Sequence, residues 1–169
     1  MKAKTILLLV LFVAVACGRS YEIYSNKYPV SFSCDISQSP FNKVQTWGYF
    51  LSVRSTPTKD GYEVKEPNGT GRIFPYTEVQ SRVFSFGLAG LIIGKPYFGD
   101  DMIYAYDLGC PQCERASAYL KVKDDCTAVC PKCKNSYDLN NGGIAKTGDS
   151  RPLFRYRTSF SGNRLMVHN

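Results

Sequence analysis

The chain has very little histidine: His168, next to the C-terminus, is its single one. A metal site with two histidine ligands therefore cannot be built, and no Ser-His or Cys-His arrangement is available for catalysis. No glycine-rich phosphate loop follows a strand pattern, and no stretch sustains a helical period. The acidic pairs Asp100-Asp101 and Asp124-Asp125 are adjacent in sequence, so in a strand they point to opposite faces and do not form a catalytic carboxylate pair. We expect a protein that is not an enzyme.

Long apolar runs are also scarce. The one apolar stretch, residues 5–16, is too short to span a bilayer. It follows a basic start and ends in Ala14-Val15-Ala16-Cys17, which is similar to a bacterial lipobox. Residues 1–16 are therefore predicted to be a lipoprotein signal peptide, with Cys17 as the lipidated residue. Ordinary signal cleavage near Gly18, with Cys17 discarded, is the alternative.

Lipid on Cys17 would hold the mature chain, residues 17–169, at a membrane of the cell envelope. The Gly18 that follows favours the outer membrane, facing the periplasm or the cell surface. Removal of the signal takes away two lysines, so the formal net charge of +7 becomes +5. A basic exported protein can attract anionic lipid or glycan surfaces. The sequence does not identify its partner, which is either a protein or a glycan. The sequence has no basic run densely interleaved with aromatics, so we expect no nucleic-acid partner.

The mature length of about 150 residues is enough for one domain with a hydrophobic core. Aromatic residues make up 14% of the chain, which favours strands over helices. Short β-rich runs bounded by turn residues predict a mainly antiparallel β protein. These runs cover residues 28–36, 44–54, 79–86, 88–94, 102–107, 118–123, 128–130, 153–158 and 164–167. Residues 56–71 are predicted to be an exposed loop or an irregular hairpin.

The most informative pattern consists of two cysteine pairs. Cys110 and Cys113 are followed, after sixteen residues, by Cys130 and Cys133. Two close thiol pairs at this separation can converge on one tetrahedral metal ion. Zn²⁺ is the favoured occupant, in a closed site with a structural role. The alternatives are a [2Fe–2S] cluster, which would make the chain an electron carrier, and disulfides or an empty site.

Other features surround these cysteines in a characteristic order. A strand pattern, residues 103–107, precedes the first pair, Tyr137-Asp138 follow the second pair, and residues 140–143 supply a glycine-containing turn. In this order the chain resembles the Rieske iron–sulfur domain. Residues 30–32 and 90–93 are more weakly similar to the outer strands of Rieske-fold lipoproteins of Bacteroidetes. The resemblance implies a single domain with a Rieske-like antiparallel β-sandwich or barrel. Within it, residues 103–156 would form a small metal-binding subdomain.

Departures from the Rieske pattern determine the expected chemistry. Cys113 and Cys133 stand where the family has its two histidine ligands, and the added negative charge would bring a cluster near the potentials of plant-type ferredoxins, about −400 mV. Lys134 replaces a glycine, and Asp149 replaces the proline of the shielding loop, which disfavours a tightly covered cluster. We therefore predict a binding or structural lipoprotein that holds a zinc ion. The alternative is an electron-transfer protein that carries a [2Fe–2S] cluster on the same four cysteines.

Two further cysteines remain. If Cys17 is acylated and four cysteines bind metal, Cys34 and Cys126 are left as an even pair in an oxidising compartment. They are predicted either to form a disulfide between the N-terminal strand region and the metal-binding region, or to be two separately buried thiols.

Overall fold

The structure is a computed structural model that describes residues 23–148 and 150–169. The predicted signal peptide and Cys17 lie outside the described residues. No helix within the described part is long and apolar enough to cross a membrane. The helical elements there are a 3₁₀ helix at Phe41–Gln45 and one α-helix, α1, at Glu78–Val83.

The strands of the described residues are β1 (Val30–Asp35), β2 (Tyr49–Ser55), β3 (Gly61–Lys65), β4 (Gly71–Pro75), β5 (Ser85–Phe86), β6 (Leu91–Lys95), β7 (Tyr104–Asp107), β8 (Lys121–Val122), β9 (Thr127–Val129), β10 (Ser136–Asp138), β11 (Ile144–Ala145), β12 (Arg155–Ser161) and β13 (Arg164–His168). All pairings between these strands are antiparallel. The predicted mainly antiparallel β class is confirmed.

The strands form two sheets of unequal size. Nine strands make one sheet in the order β4-β3-β2-β6-β7-β12-β13-β1-β5, and four make a second in the order β11-β10-β9-β8. In the sequence, the four strands of the small sheet lie between β7 and β12. These two strands are neighbours in the large sheet and pair through Tyr106 and Arg155. The four-cysteine subdomain, residues 108–153, is therefore an insertion between two adjacent strands. Those two strands, at the ends of the predicted range 103–156, belong to the large sheet.

The central strands of the large sheet are buried on both faces. Successive side chains of a strand point to opposite faces, so Leu91 and Ile93 of β6 join the core inside the sheet while Ile92 joins a second cluster outside it. Phe50 of β2 and Tyr106 of β7 lie in the same outer cluster. The subdomain packs onto this outer face through Leu108, Ala118, Leu120, Cys126, Ala128, Tyr137, Leu139 and Leu153.

Aromatic side chains bring the two ends of the large sheet together. The Tyr62 ring of β3 stacks on Phe74 of β4 with centroids 5.4 Å apart, and it lies 6.2 Å from Phe86 of β5. The Phe32 ring of β1 is 5.7 Å from the same Tyr62 ring. Because β4 and β5 are the terminal strands, the sheet curls on itself around this aromatic core. Each such pair adds about 0.5–1.5 kcal/mol beyond its buried area.

The strand predicted for residues 79–86 is wrong over most of its length, because α1 occupies residues 78–83 and the strand β5 is limited to Ser85–Phe86. The Thr77 side chain accepts a hydrogen bond from Gln80 N at 3.2 Å, and Gln80 Oε1 accepts one from Thr77 N at 3.0 Å. This capping box satisfies two backbone donors at the helix start. The Thr-x-x-Gln pattern was therefore the signal that outweighed the β propensity of the segment.

Two other segments differ from the prediction by more than a few residues at their ends. The strand expected from residue 44 begins at Tyr49, because the 3₁₀ helix at Phe41–Gln45 and Gly48, with φ of 71°, precede it. Residues 56–71, predicted as a loop or irregular hairpin, contain β3, which pairs with β2 and β4. The hairpin alternative was thus the better description.

Candidate metal centre

The two cysteine loops have the same backbone fold. In the first loop, residues 110–114, the N–H of Glu114 donates to the carbonyl of Cys110 at 2.8 Å. In the second, residues 130–134, the N–H of Lys134 donates to the carbonyl of Cys130 at 3.0 Å. Glu114 and Lys134 both have positive φ, 49° and 65°. A non-glycine residue adopts this conformation only at a cost, so its occurrence twice at the same step indicates two equivalent turns.

Each loop is the tip of a hairpin. The second joins β9 to β10 and is closed by the Cys130 N–H, which donates to Asn135 O at 2.9 Å. The first is closed by the Cys110 N–H, which donates to Ala118 O at 3.0 Å, and Leu120 N donates to Leu108 O one step further on. Both hairpins pack in the outer cluster described above, and this common packing brings the two tips together.

The four predicted ligand sulfurs converge. All four Sγ atoms lie within 4.8 Å of one another. The Sγ atoms of Cys110 and Cys133 are 3.6 Å apart, and those of Cys113 and Cys130 are 3.8 Å apart. A tetrahedral ion with metal–sulfur bonds of about 2.3 Å holds its sulfurs about 3.8 Å from each other. The donor set therefore fits one tetrahedral metal ion.

Burial and hydrogen bonding divide the thiols. Cys110 and Cys130 are fully buried, whereas Cys113 and Cys133 are half-buried. Burial acts to raise the pKa of Cys110, but the Tyr137 hydroxyl and the backbone of the first loop donate to its sulfur and lower the pKa to about 7. Desolvation and the neighbouring sulfurs raise the pKa of Cys113 to about 12. Near neutral pH the Cys113 thiol therefore ionises only when a bound metal displaces its proton.

Tyr137 contacts the sulfur of Cys110 through its hydroxyl group. Its buried ring lies in the outer cluster, and its hydroxyl is 3.5 Å from Cys110 Sγ and 2.9 Å from Ser150 Oγ. The next residue, Asp138, accepts the Asn140 N–H at 3.0 Å and so forms the turn toward β11. These are the aromatic residue and the aspartate that the Rieske resemblance singled out after the second cysteine pair. Groups that bond to a ligand in this way fix its orientation.

Asp107 connects the first cysteine loop to the large sheet, a role that no sequence motif indicated. Its buried carboxylate accepts hydrogen bonds from Leu88 N and Tyr156 OH, both at 2.6 Å, and from Gly109 N at 2.6 Å and Ala89 N at 3.3 Å. Burial raises the pKa of this carboxyl. Its position at the end of β7 was visible in the sequence, but of its partners only Gly109 is local, whereas Leu88, Ala89 and Tyr156 are 18 to 49 residues away.

Glu114 forms a second connection at the same loop. Its carboxylate contacts the Lys27 ammonium, the Tyr28 hydroxyl at 2.9 Å and the Arg151 guanidinium at 3.3 Å. The Lys27 hydrogen bond, followed by that of Tyr28, lowers the pKa of Glu114 to about 2. Arg151 also donates to Pro111 O at 3.2 Å. The N-terminal segment and the chain after β11 are thereby joined to the first loop.

Cys34 and Cys126 are separate thiols, and the disulfide considered between them is not formed. Cys34 lies on the inner face of β1, and burial raises its pKa to about 12. Cys126 belongs to the outer cluster, where its sulfur donates to Gly48 O at 2.9 Å. The large sheet lies between the two clusters, so the sulfurs cannot meet.

Comparison with known proteins gives low similarities. No family model matches the chain, and no curated protein sequence matches it. Among solved structures, the ferredoxin of carbazole 1,9a-dioxygenase from Nocardioides aromaticivorans IC177 aligns with 19% identity and a TM-score of 0.35, over 47% of this chain and 75% of that one. The Sphingomonas yanoikuyae B1 ferredoxin aligns with 18% identity and a TM-score of 0.33, over 70% of this chain and 97% of that one. The functional conclusion depends on the geometry of the cysteines.

Proposed function

We propose that this chain is a lipid-anchored protein of the cell envelope, with one structural zinc ion bound by Cys110, Cys113, Cys130 and Cys133. The observation that carries the proposal is the compactness of the sulfur set, with every Sγ within 4.8 Å of the others. The zinc joins the tips of two hairpins and so stabilises the four-cysteine subdomain. All four positions of the ion are taken by protein ligands, which leaves none for a substrate. The role is therefore binding or structural rather than catalytic.

The same compactness disfavours a [2Fe–2S] cluster. Such a cluster has two irons joined by bridging sulfides, and each iron takes two of the four thiolates. The two thiolate pairs would lie at opposite ends of the cluster, further apart than around a single ion. Instead, the two sulfur pairs at 3.6 and 3.8 Å each join one loop to the other, and the remaining distances also stay short.

One observation favours electron transfer as the second candidate. Cys113 and Cys133 are half-buried, so an iron site on these cysteines would lie close to the surface of the described residues. In that function the chain would pass electrons to a partner at the tips of the two hairpins. The identity of the bound metal, zinc or iron, therefore distinguishes the structural function from electron transfer.

Protein purified without oxygen is expected to be colourless and to carry about one zinc per chain, as measured by elemental analysis and visible spectroscopy. Cys113→Ser should bind zinc less tightly because it removes one of four thiolates. The matched control is Cys34→Ala, which removes a buried thiol outside the centre and should keep the zinc. A coloured protein with two irons per chain, bleached on reduction, would establish the electron carrier instead.

Anchoring is proposed from the lipobox-like sequence before Cys17. Cys17→Ser is expected to leave the protein without lipid and to move it from the membrane to the soluble fraction, because residues 5–16 are too short to span a bilayer. Fractionation of cells followed by immunoblotting measures the change. Unchanged partitioning of Cys17→Ser would show that another feature holds the protein at the membrane.

A further inference from the structure

Large apolar side chains are exposed together at one end of the large sheet. Trp47 is 44% exposed, Tyr97 55% and Phe98 79%. Trp47 precedes β2 and forms a bridge with Lys95, and Tyr97 and Phe98 follow Lys95 at the end of β6. We call these three side chains the aromatic end. The four cysteines lie beyond the opposite end of the sheet, because β7 runs antiparallel to β6 from Tyr104 toward the first cysteine loop.

The aromatic end is held in place by its neighbours. The Tyr97 ring covers Gly48, where a Cβ atom would lie 2.1 Å from Tyr97 Cε2. The Tyr97 N–H donates to Asn140 Oδ1 at 2.9 Å, and the Lys95 ammonium lies 3.9 Å from the centre of the Trp47 ring. Contacts of this kind, including the cation–π contact, fix the orientation of exposed rings.

The N-terminal segment runs toward the same end. Tyr28 contacts Glu114 beside the cysteines, whereas the Tyr24 ring lies 5.4 Å from the Arg155 guanidinium and 5.0 Å from that of Arg157. Arg155 in turn stacks on Tyr104 at 3.7 Å, and Tyr104 pairs with the residue before Lys95. Residue 28 therefore lies beside the metal centre, whereas residue 24 lies closer to the aromatic end.

The length of the chain between Cys17 and Ile23 limits the distance between a lipid on Cys17 and the described part of the protein. Five residues separate Ile23 from Cys17, and even in a fully extended chain the six steps from Cα to Cα cover only about 20 Å. If Cys17 carries lipid, as the proposed function holds, the bilayer surface lies within this distance of Ile23, which is itself exposed. The faces of the molecule near Ile23 can then reach the bilayer.

The chemistry of the aromatic end suits a bilayer surface. Trp and Tyr rings are enriched where membranes meet water, because each has an apolar body and a polar group. Of the two carboxylates in the same loop, Asp101 pairs with the Lys95 ammonium, and Asp100 accepts the Tyr104 hydroxyl at 2.7 Å. The ion pair with Lys95 reduces the repulsion between Asp101 and phosphate headgroups.

We propose that the aromatic end rests on the surface of a phospholipid bilayer and orients the anchored protein with its metal centre pointing away. This inference depends on the anchor at Cys17 but goes beyond it, because a lipid tether alone sets no orientation. The lipid holds the protein near the bilayer, and Trp47, Tyr97 and Phe98 select the face that touches it. The metal centre is then exposed to partners in the aqueous phase.

Trp47 makes the test direct because it is the only tryptophan of the chain. The mature lipidated protein, residues 17–169, is reconstituted into phosphatidylcholine–phosphatidylglycerol vesicles with brominated acyl chains, which quench nearby indoles. We expect Trp47 fluorescence to be quenched in these vesicles and not in unbrominated ones. Phe98→Ser should lose most of the quenching. The control Ile73→Ser, at a 65% exposed position on the edge strand β4, should keep it.

Flotation of the same vesicles tests the lipid anchor at Cys17 separately from the orientation by the aromatic end. Protein that floats with the vesicles but shows no quenching of Trp47 would overturn the orientation and leave the anchor intact. Wild-type protein that does not float would overturn the anchor, and the orientation with it. Equal losses of quenching in Phe98→Ser and Ile73→Ser would also contradict a specific aromatic contact.

Discussion

Removal of the metal is expected to unfold residues 108–153 while the nine-stranded sheet stays folded. The four strands of the small sheet have only two or three residues each, so they contribute few backbone hydrogen bonds. Its two hairpin tips meet at the four sulfurs. Binding of a structural zinc provides about 10–16 kcal/mol in small zinc domains, and this energy is folding energy when the site does not persist without metal.

Hydrogen exchange read by mass spectrometry measures this effect region by region. After treatment with a chelator, peptides covering β9 and β10 should exchange rapidly, while peptides covering β2 and β6 should keep their protection. Zinc added back should restore protection of β9 and β10. Unchanged exchange in the subdomain would mean that packing on Phe50, Ile92 and Tyr106 suffices to hold it without metal.

The metal centre was predictable from sequence because its ligands occur as two local motifs. The spacing of Cys110, Cys113, Cys130 and Cys133 carries the information, since each pair needs only one tight turn and one common packing surface brings the turns together. The residues that position these turns were not predictable. Asp107 and Glu114 bind partners up to 87 residues away, such as Lys27, and no local pattern records such contacts.

The fold was predictable in class but not in every boundary. Strands β6 and β7 are buried on both faces, so apolar residues such as Leu91, Ile92 and Ile93 follow one another and produce a clear signal. The segment that became α1 has no buried residues, so no apolar periodicity marked it as a helix. Its local capping box decided the structure where core packing did not.

Replacement of Asp107 by Ala is expected to lower the free energy of unfolding by about 3 to 5 kcal/mol. The substitution would leave Leu88 N, Gly109 N and the Tyr156 hydroxyl without the carboxylate that now accepts from them at 2.6 Å. Each buried donor that loses its partner costs about 1–3 kcal/mol. Urea unfolding followed by fluorescence gives the value. Asp124→Asn, at an exposed aspartate, is the control and should stay within about 0.5 kcal/mol of wild type.

Asp107→Asn tests whether the carboxylate positions the metal centre in addition to stabilising the fold. The amide keeps one acceptor oxygen of nearly the same shape, so either Leu88 N or Gly109 N would face an NH₂ group instead of an oxygen. Because Gly109 directly precedes Cys110, loss of its hydrogen bond should loosen the first cysteine loop and weaken zinc binding in competition with a chromophoric chelator. Reduced stability with unchanged zinc affinity would restrict Asp107 to a role in the fold. Reduced affinity in Asp107→Asn, but not in Asp124→Asn, would establish that the large sheet positions the metal ligands through this one carboxylate.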